Sequence, residues 1–503
     1  MVAILIVHPW VSGTNDPDSM ATVLYWQRIT SGQRLEVTVL TTPKPLLTII
    51  FGASWSLFHD WRVLVWETIA VQGLAVAAAT RLAHRFAGLP AAVFVGATLI
   101  GSSAELAEVS QANSLPWALL GWLVAGVALT ARPRRYRIAG LALLLAGMTR
   151  IETWILLTVV TIAIAVLATL TVRRWAPPHW PAARTALPLL VAWLAIPVQL
   201  LHDFLLTGNP LYWLSVPTAY TKLEVPDLRA ISPLHFAHDL VARYADMRIL
   251  VLLAAIGFGY LAFRRRWTML LGLGGTIVGV LVLLLSLAVR GIYISDRYYE
   301  EPDLAFLFAG GIGVGALVWM ARRLLRGRSS LLRRAGLAWG GVAVALVAAL
   351  LVAYPGPAMH ELVERVGQLQ DASRDYESIV PLLRADTATA KGSAPPAAPA
   401  AAGFTEVATQ TAILIVPRPF QRRIAVELGL SLTWLADSRV AFVHTSPALA
   451  LHPGQHVYHD ARLDVTHQLF AAIEVDRITE LGDLRLVPVV VKRGQVWLLD
   501  VER

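Results

Sequence analysis

Asn15-Asp16-Pro17-Asp18-Ser19 sets two carboxylates two residues apart, ahead of Tyr25 and of Lys44, which stands between Pro43 and Pro45. A carboxylate held against a hydroxyl can take its proton as a general base, so Asp18 and Asp16 are candidate catalytic groups. The bland reading is turn chemistry, because Asn and Asp cap the backbone while Pro fixes it. A second cluster, Arg150-Ile151-Glu152, falls between two apolar runs. There Arg150 either neutralises an anionic head group that Glu152 orients, or forms a salt bridge pinning two helix ends. The third is Asp296-Arg297-Tyr298-Tyr299-Glu300-Glu301-Pro302. An arginine with flanking phenols suits a phosphate at head-group level, and tyrosines are also ordinary residents of a membrane interface. Lys44 has the same two readings.

These groups must be positioned by apolar helices. The 503 residues are 56% hydrophobic and only 15% charged, with a mean hydropathy of +0.58, which describes an integral membrane protein. The formal charge of +9 sits in short basic clusters between apolar runs, so it reads as topology and gives no support to a nucleic-acid partner. Seventeen tryptophans suit a chain with two interfaces to anchor, and the absence of cysteine excludes disulfides and thiolate metal sites.

Residues 2–7 are too few to span and read as the end of a first helix whose beginning is missing. The stretch 8–61 is expected to be one long outer loop, with an amphipathic part at 20–29 and a semi-apolar part at 46–58 lying along the surface. Spans follow at about 62–80, 89–102, 115–131, 138–149, 151–172, 185–205, 248–263, 267–289, 303–321 and 335–354, some ten or eleven crossings in all. Glu67, inside the first complete span, must face protein rather than lipid. Alternate connections carry seventeen arginines, from Arg81 to Arg334, and by the positive-inside rule they are cytoplasmic. The early acidic loop, Arg150, the 206–247 loop, the Asp296 cluster and the C-terminus then share the outer face of a plasma membrane.

The expected domains are a membrane domain at 1–354, a helix and Ala/Pro-rich linker at 355–403, and a small extracytoplasmic α/β or α+β domain at 404–503. Short β-like runs are read at 412–416, 440–443, 484–491 and 496–499, with a helix at 424–435. His444, His452, His456, His459 and His467 match no familiar ligand spacing, so no metal site is assigned to them. Walker A, Rossmann, Gly-x-Ser-x-Gly and His-Glu-x-x-His patterns are absent.

Taken in order, Asp18, Tyr25, Gly32, Thr42-Pro43-Lys44-Pro45-Leu46, Gly140, Thr149-Arg150-Ile151-Glu152, Gly208-Asn209-Pro210-Leu211 and Arg297-Tyr298 resemble the GT-C superfamily of polytopic glycosyltransferases. That group includes protein O-mannosyltransferases and the aminoarabinose transferase of lipid A. The resemblance implies a polytopic α-helical fold and a sugar donor on a polyprenyl phosphate. It implies Asp18 as the base with Asp16 in reserve, Arg150, Arg297 and Lys44 near the donor phosphate, and Glu152, Tyr298 and Asp296 in support. No cofactor follows from it. Some relatives use a divalent metal, toward which Asp16 and Asp18 could contribute, but no convincing ligand set is present. Two departures stand out: Pro17-Asp18 replaces the adjacent acids common in relatives, and the first helix is short.

The chemistry is coherent in itself. A sugar on a lipid phosphate carries its leaving group at membrane level, so the protein needs only to place an acceptor hydroxyl, deprotonate it, and stabilise the departing phosphate. Inversion at the anomeric carbon is the expected outcome. A transporter or a membrane scaffold presenting the C-terminal domain are the alternative classes. A transporter would concentrate polar residues near the bilayer midplane, whereas here they gather at one face.

Overall fold

The structure, a computed structural model, describes residues 17–35, 39, 41–172, 186–224, 233–290, 292, 294, 296–325, 412–415, 423, 426–427, 456–460, 479–481, 484–493 and 496–502. Asp16 and the run 335–354 lie outside the described residues, as do 440–443 and His444, His452 and His467. The described part of 1–354 is helical.

The expected outer loop is instead two packed helices, α1 (Pro17–Thr30) and α2 (Pro45–Phe58). Pro45 opens α2 at a position where its missing N–H costs nothing, and it holds the preceding Lys44 in the extended conformation favoured before proline. The two helices press so closely that a Cβ on Gly52 would lie 2.0 Å from the Trp26 side chain.

α3 (Trp61–Ala87) follows directly, with the Asp60 carboxylate accepting from the Arg62 N–H at its start. Ser54 on α2 donates to the Glu67 carboxylate, so this acid faces protein, as its depth requires. Next come α4 (Leu89–Gly101), a short polar α5 (Ser103–Ser110), α6 (Leu115–Thr130), α7 (Tyr136–Gly147) and α8 (Thr153–Val172). A 3₁₀ segment (Leu187–Leu194) runs into α9 (Ala195–Thr207). The expected 206–247 loop holds two more helices, α10 (Tyr212–Glu224) and α11 (Pro233–Asp246). α12 (Arg248–Phe263) leaves the end of α11 at 85°. α13 (Trp267–Val289) and, after a 3₁₀ turn at Asp296–Tyr299, α14 (Glu300–Leu325) complete the described helices.

Four described helices are long and apolar enough to cross a bilayer, or five if the bent α11–α12 pair is one span. The expected count of ten or eleven is not reached among the described residues. Prolines open α2, α4 and α6, and α4, α6 and α7 run only 13, 16 and 12 residues, so they traverse less than a full hydrocarbon thickness. The core lies where α3, α4, α12 and α14 meet, with Ala75, Ala79, Ala83, Val95, Leu253 and Ile312 almost wholly buried. α12 and α14 approach backbone to backbone: a Cβ on Gly257 would lie 2.0 Å from the Ala309 carbonyl, and one on Gly313 2.0 Å from that of Leu253. Small residues give membrane helices this closeness. Outside the core, α13 shows Leu271, Val278, Val282 and Val289 outward, as lipid contact requires.

The C-terminal part contains a five-stranded sheet of β1 (Ala412–Ile415), β2 (His456–Asp460), β3 (Thr479–Leu481), β4 (Leu484–Arg493) and β5 (Val496–Glu502), in the order β1-β2-β5-β4-β3. Only β1 and β2 are parallel; the other neighbours are antiparallel, and β4 shifts register between Pro488 and Val490. The runs read at 412–416, 484–491 and 496–499 coincide with strands, while β2 and β3 are additional. Val426 and Glu427 touch the membrane domain, where Gln27 donates to the Val426 carbonyl at 3.4 Å and the Trp61 indole to the Glu427 carboxylate at 2.8 Å.

Candidate active site

Asp18 sits in the first turn of α1, where the helix dipole favours a carboxylate. Two neighbours fix its register. The Ser19 hydroxyl donates to the Ala112 carbonyl at 2.7 Å, and the buried Tyr25 phenol donates to the Thr41 carbonyl at 2.7 Å. Thr41 Oγ1 then donates to one Asp18 oxygen at 2.8 Å, and Lys44 Nζ approaches the other at 3.4 Å. The main chain on both sides of Lys44 is anchored, since Gln199 donates to the Pro43 carbonyl at 3.2 Å and the Leu46 N–H to the Met148 carbonyl at 3.2 Å. That last bond joins the Lys44 turn to the α7–α8 connection, which carries Arg150.

Arg150 is buried among three carboxylates: Glu301 at 3.0 Å, Glu300 at 3.1 Å and Glu152 at 3.5 Å. Glu300 and Glu301 come from the first turn of α14, where acids also complement the helix dipole. Glu108 on α5 adds a fourth negative neighbour. Burial works against the guanidinium's charge, but Glu301, Glu152, Glu300 and Glu108 together hold it ionised well beyond its ordinary range. Glu105, one helical turn before Glu108, takes a 2.9 Å hydrogen bond from Gln72 of α3. Burial, and then the nearby Glu108, push its carboxyl up to about 8, while Gln72 and Arg150 pull the other way.

Tyr298 joins the two groups. Its phenol is raised above the usual range by burial and then by Glu152, with Asp18 and Glu301 adding to the effect and Arg150 opposing it. Asp18 and the Arg150 cluster therefore both lie within electrostatic reach of one phenol. Beneath them a cavity of about 400 Å³ extends from Glu152, Thr153 and Glu301 to Arg134 and Tyr136, with walls of aliphatic side chains.

Of the residues singled out in the sequence, Asp18 and Lys44 are in contact, Arg150 and Glu152 are in contact, and Tyr298 lies near both pairs. The backbone of Asp296 and Arg297 forms the 3₁₀ turn before α14, and their side chains lie outside the described residues. The Gly208-Asn209-Pro210-Leu211 motif is a turn: Gly208 closes α9 at φ 77° and Asn209 accepts from the Leu211 N–H at 3.0 Å. Glu105 and Glu108 were missed. Their signal was present, as two acids three apart inside a stretch otherwise read as flanking apolar spans. Among the described residues no group of three or more His, Asp or Glu has an arrangement able to hold a metal ion.

Comparison with known proteins finds no matching family model and no matching curated protein. Solved structures do match. ArnT from Cupriavidus metallidurans in the apo state superposes with a TM-score of 0.52 at 12% identity, over 99% of this chain and 96% of that one. The chain therefore shares the fold of that structure. A looser likeness is to the archaeal oligosaccharyltransferase AglB from Archaeoglobus fulgidus, solved with an inhibitory peptide and a dolichol-phosphate. Its TM-score is 0.47 at 12% identity, over 84% of this chain and 62% of that one. Within this fold, α1, the Lys44 turn, the α7–α8 connection and the start of α14 converge on one end of the bundle.

Proposed function

We propose that this chain is a membrane glycosyltransferase moving a sugar from a polyprenyl-phosphate donor to an acceptor outside the cytoplasm, with inversion. The observation that carries the reading is the convergence of Asp18, Lys44, Tyr298 and Arg150 from four separate elements above an apolar cavity, in a chain with the fold of ArnT. ArnT from the same source has also been solved with undecaprenyl phosphate bound. A polyprenyl chain would lie in the aliphatic cavity, leaving its phosphate at the polar end.

Asp18 is the base. Thr41 and Lys44 hold both its oxygens, so the carboxylate is oriented before an acceptor arrives. Displacement with inversion requires the acceptor and the departing phosphate on opposite sides of the anomeric carbon. Lys44, in contact with the base, orients Asp18 and reaches the phosphate only at its near edge. Arg150 and Arg297 are the phosphate partners on the far side. Arg150 is already surrounded by Glu152, Glu300 and Glu301, so a phosphate engages it when protonation relieves some of that negative charge. Asp16 is the reserve base, and Asp296 and Tyr298 support the phosphate end. Val426 and Glu427, which accept from Gln27 near the C-terminal end of α1 and from Trp61 at the start of α3, support an outer location for the C-terminal domain.

The test is transfer from radiolabelled polyprenyl-phosphate sugars in membranes containing wild type, Asp18→Asn or Asp16→Asn at matched abundance. Loss of the base should lower transfer by about 10²–10⁴-fold in Asp18→Asn, with Asp16→Asn retaining most activity. Equal transfer by Asp18→Asn and wild type would refute the assignment of the base.

A further inference from the structure

A second cavity, of about 670 Å³, lies at the opposite end of the bundle from the candidate active site and plays no part in the chemistry above. Arg81 and Arg85 of α3 and Arg132 and Arg135 of the α6–α7 turn line it. Arg81 and Arg85 are four residues apart, on one face of the helix. Four guanidinium groups around one space repel each other unless an anion joins them. Among the described residues the lining contains no Asp or Glu, and the sequence of the connections 81–88, 131–137, 173–186, 264–266 and 322–334 contains none either. The start of α7 adds to the positive field, since its N-cap is Arg135, whose side chain has no acceptor to offer the first-turn N–H groups.

The remaining walls are aliphatic, from Ala77 and Ala78 on α3 and Val124 and Val127 on α6. Ile138 stands at the rim, 44% exposed, and the outward-facing Leu141 and Leu145 continue the same face of α7 away from the arginines. A basic end continuous with an apolar track has the form of a phospholipid. A soluble phosphate would use the arginines and leave the track without an occupant. We propose that this cavity binds an anionic glycerophospholipid of the cytoplasmic leaflet, its phosphate held by Arg81, Arg85, Arg132 and Arg135 and one acyl chain lying along Ile138, Leu141 and Leu145.

The full-length protein in a neutral detergent is titrated with phosphatidylglycerol, cardiolipin or phosphatidylcholine, and separately with inorganic phosphate or glycerol 3-phosphate. Bound lipid is read by native mass spectrometry and unfolding by tryptophan fluorescence. The anionic lipids should bind and raise the midpoint of unfolding, while phosphatidylcholine and the soluble phosphates should not. Each cation removed near a lipid surface weakens binding by about fivefold, so Arg81→Gln/Arg85→Gln and Arg132→Gln/Arg135→Gln should each lose roughly twenty-five-fold. Arg265→Gln/Arg266→Gln, on another connection of the same face, should bind as wild type does. A full response to inorganic phosphate would overturn the lipid assignment. Equal loss in all three double variants would reduce the site to a general basic face, and unchanged binding in the first two would refute it. Using two independent pairs keeps the test valid if one pair does not fold.

Discussion

At the scale of single residues the site is a question of charge balance. Arg150 meets Glu152, Glu300 and Glu301 directly, with Glu108 and Glu105 close behind, so acids outnumber the one guanidinium. Arg150→Met should destabilise the protein by about 3–5 kcal/mol, because it leaves carboxylates buried without their cation. Adding Glu301→Gln should restore part of the loss, which thermal unfolding in detergent would reveal. Glu105 offers a pH test. Its carboxyl titrates at about 8 in the folded chain, against a reference value of 4.5, so the folded state holds the proton more tightly than the unfolded state. Stability should therefore decline as pH rises from about 4.5 through about 8 and level off above it. In Glu105→Gln that decline should be shallower, and at pH 9 the variant should be at least as stable as wild type. Equal slopes in the two proteins would mean that Glu105 does not titrate in this window. Asp18, Lys44, Arg150 and Glu152 were legible in the sequence because charge is conspicuous among apolar runs. Their pairing was not, since Thr41, Glu300 and Glu301 reach them only through the fold.

At the scale of elements, composition revealed where the helices are better than how long they are. The runs at 62–80, 115–131, 267–289 and 303–321 all became helices with nearby ends, because apolar residues in a membrane must satisfy their own backbone. The first outer stretch was less legible. A hydrophobic run of fourteen residues such as Pro45–Phe58 is too short to cross and gave no sign that it would pack on α1. The close approach of α12 and α14 was not read from the sequence and rests on glycines whose role only the packing reveals. Gly313 lies where a Cβ would meet the Leu253 carbonyl at 2.0 Å, whereas a Cβ on Gly259 of α12 would meet nothing within 4 Å. The same substitution should thus have opposite signs. Gly259→Ala should stabilise by up to about 1 kcal/mol, the difference in helix propensity. Gly313→Ala should destabilise by about 1–3 kcal/mol, because one helix must move off the other. Unfolding midpoints of the two variants, measured side by side in one detergent, decide the matter.

At the scale of the whole molecule, the arginines and the acids divide the bundle into two ends, and both sites follow that division. Every connection assigned to the cytoplasm is basic, while Asp18, Glu152, Glu300 and Glu301 lie at the other end. The α14 helix shows the same polarity within one element, beginning with Glu300, Glu301 and Asp303 and ending with Arg322 and Arg323. Dipole and topology therefore favour the same orientation. The chain has no cysteine, so single cysteines can report sidedness without background. Ser31→Cys, exposed beyond the end of α1, should react in intact cells with a maleimide that cannot cross the membrane. Arg265→Cys should react only after the cells are opened. Arg503→Cys, in the C-terminal domain, should behave like Ser31→Cys, because Val426 and Glu427 contact Gln27 and Trp61 at the same end. Labelling of Arg265→Cys in intact cells would invert the molecule, placing the candidate active site among cytoplasmic acceptors and the arginine cavity in the outer leaflet. Protection of Arg503→Cys alone would keep the orientation of the bundle and remove the C-terminal domain from the acceptor side.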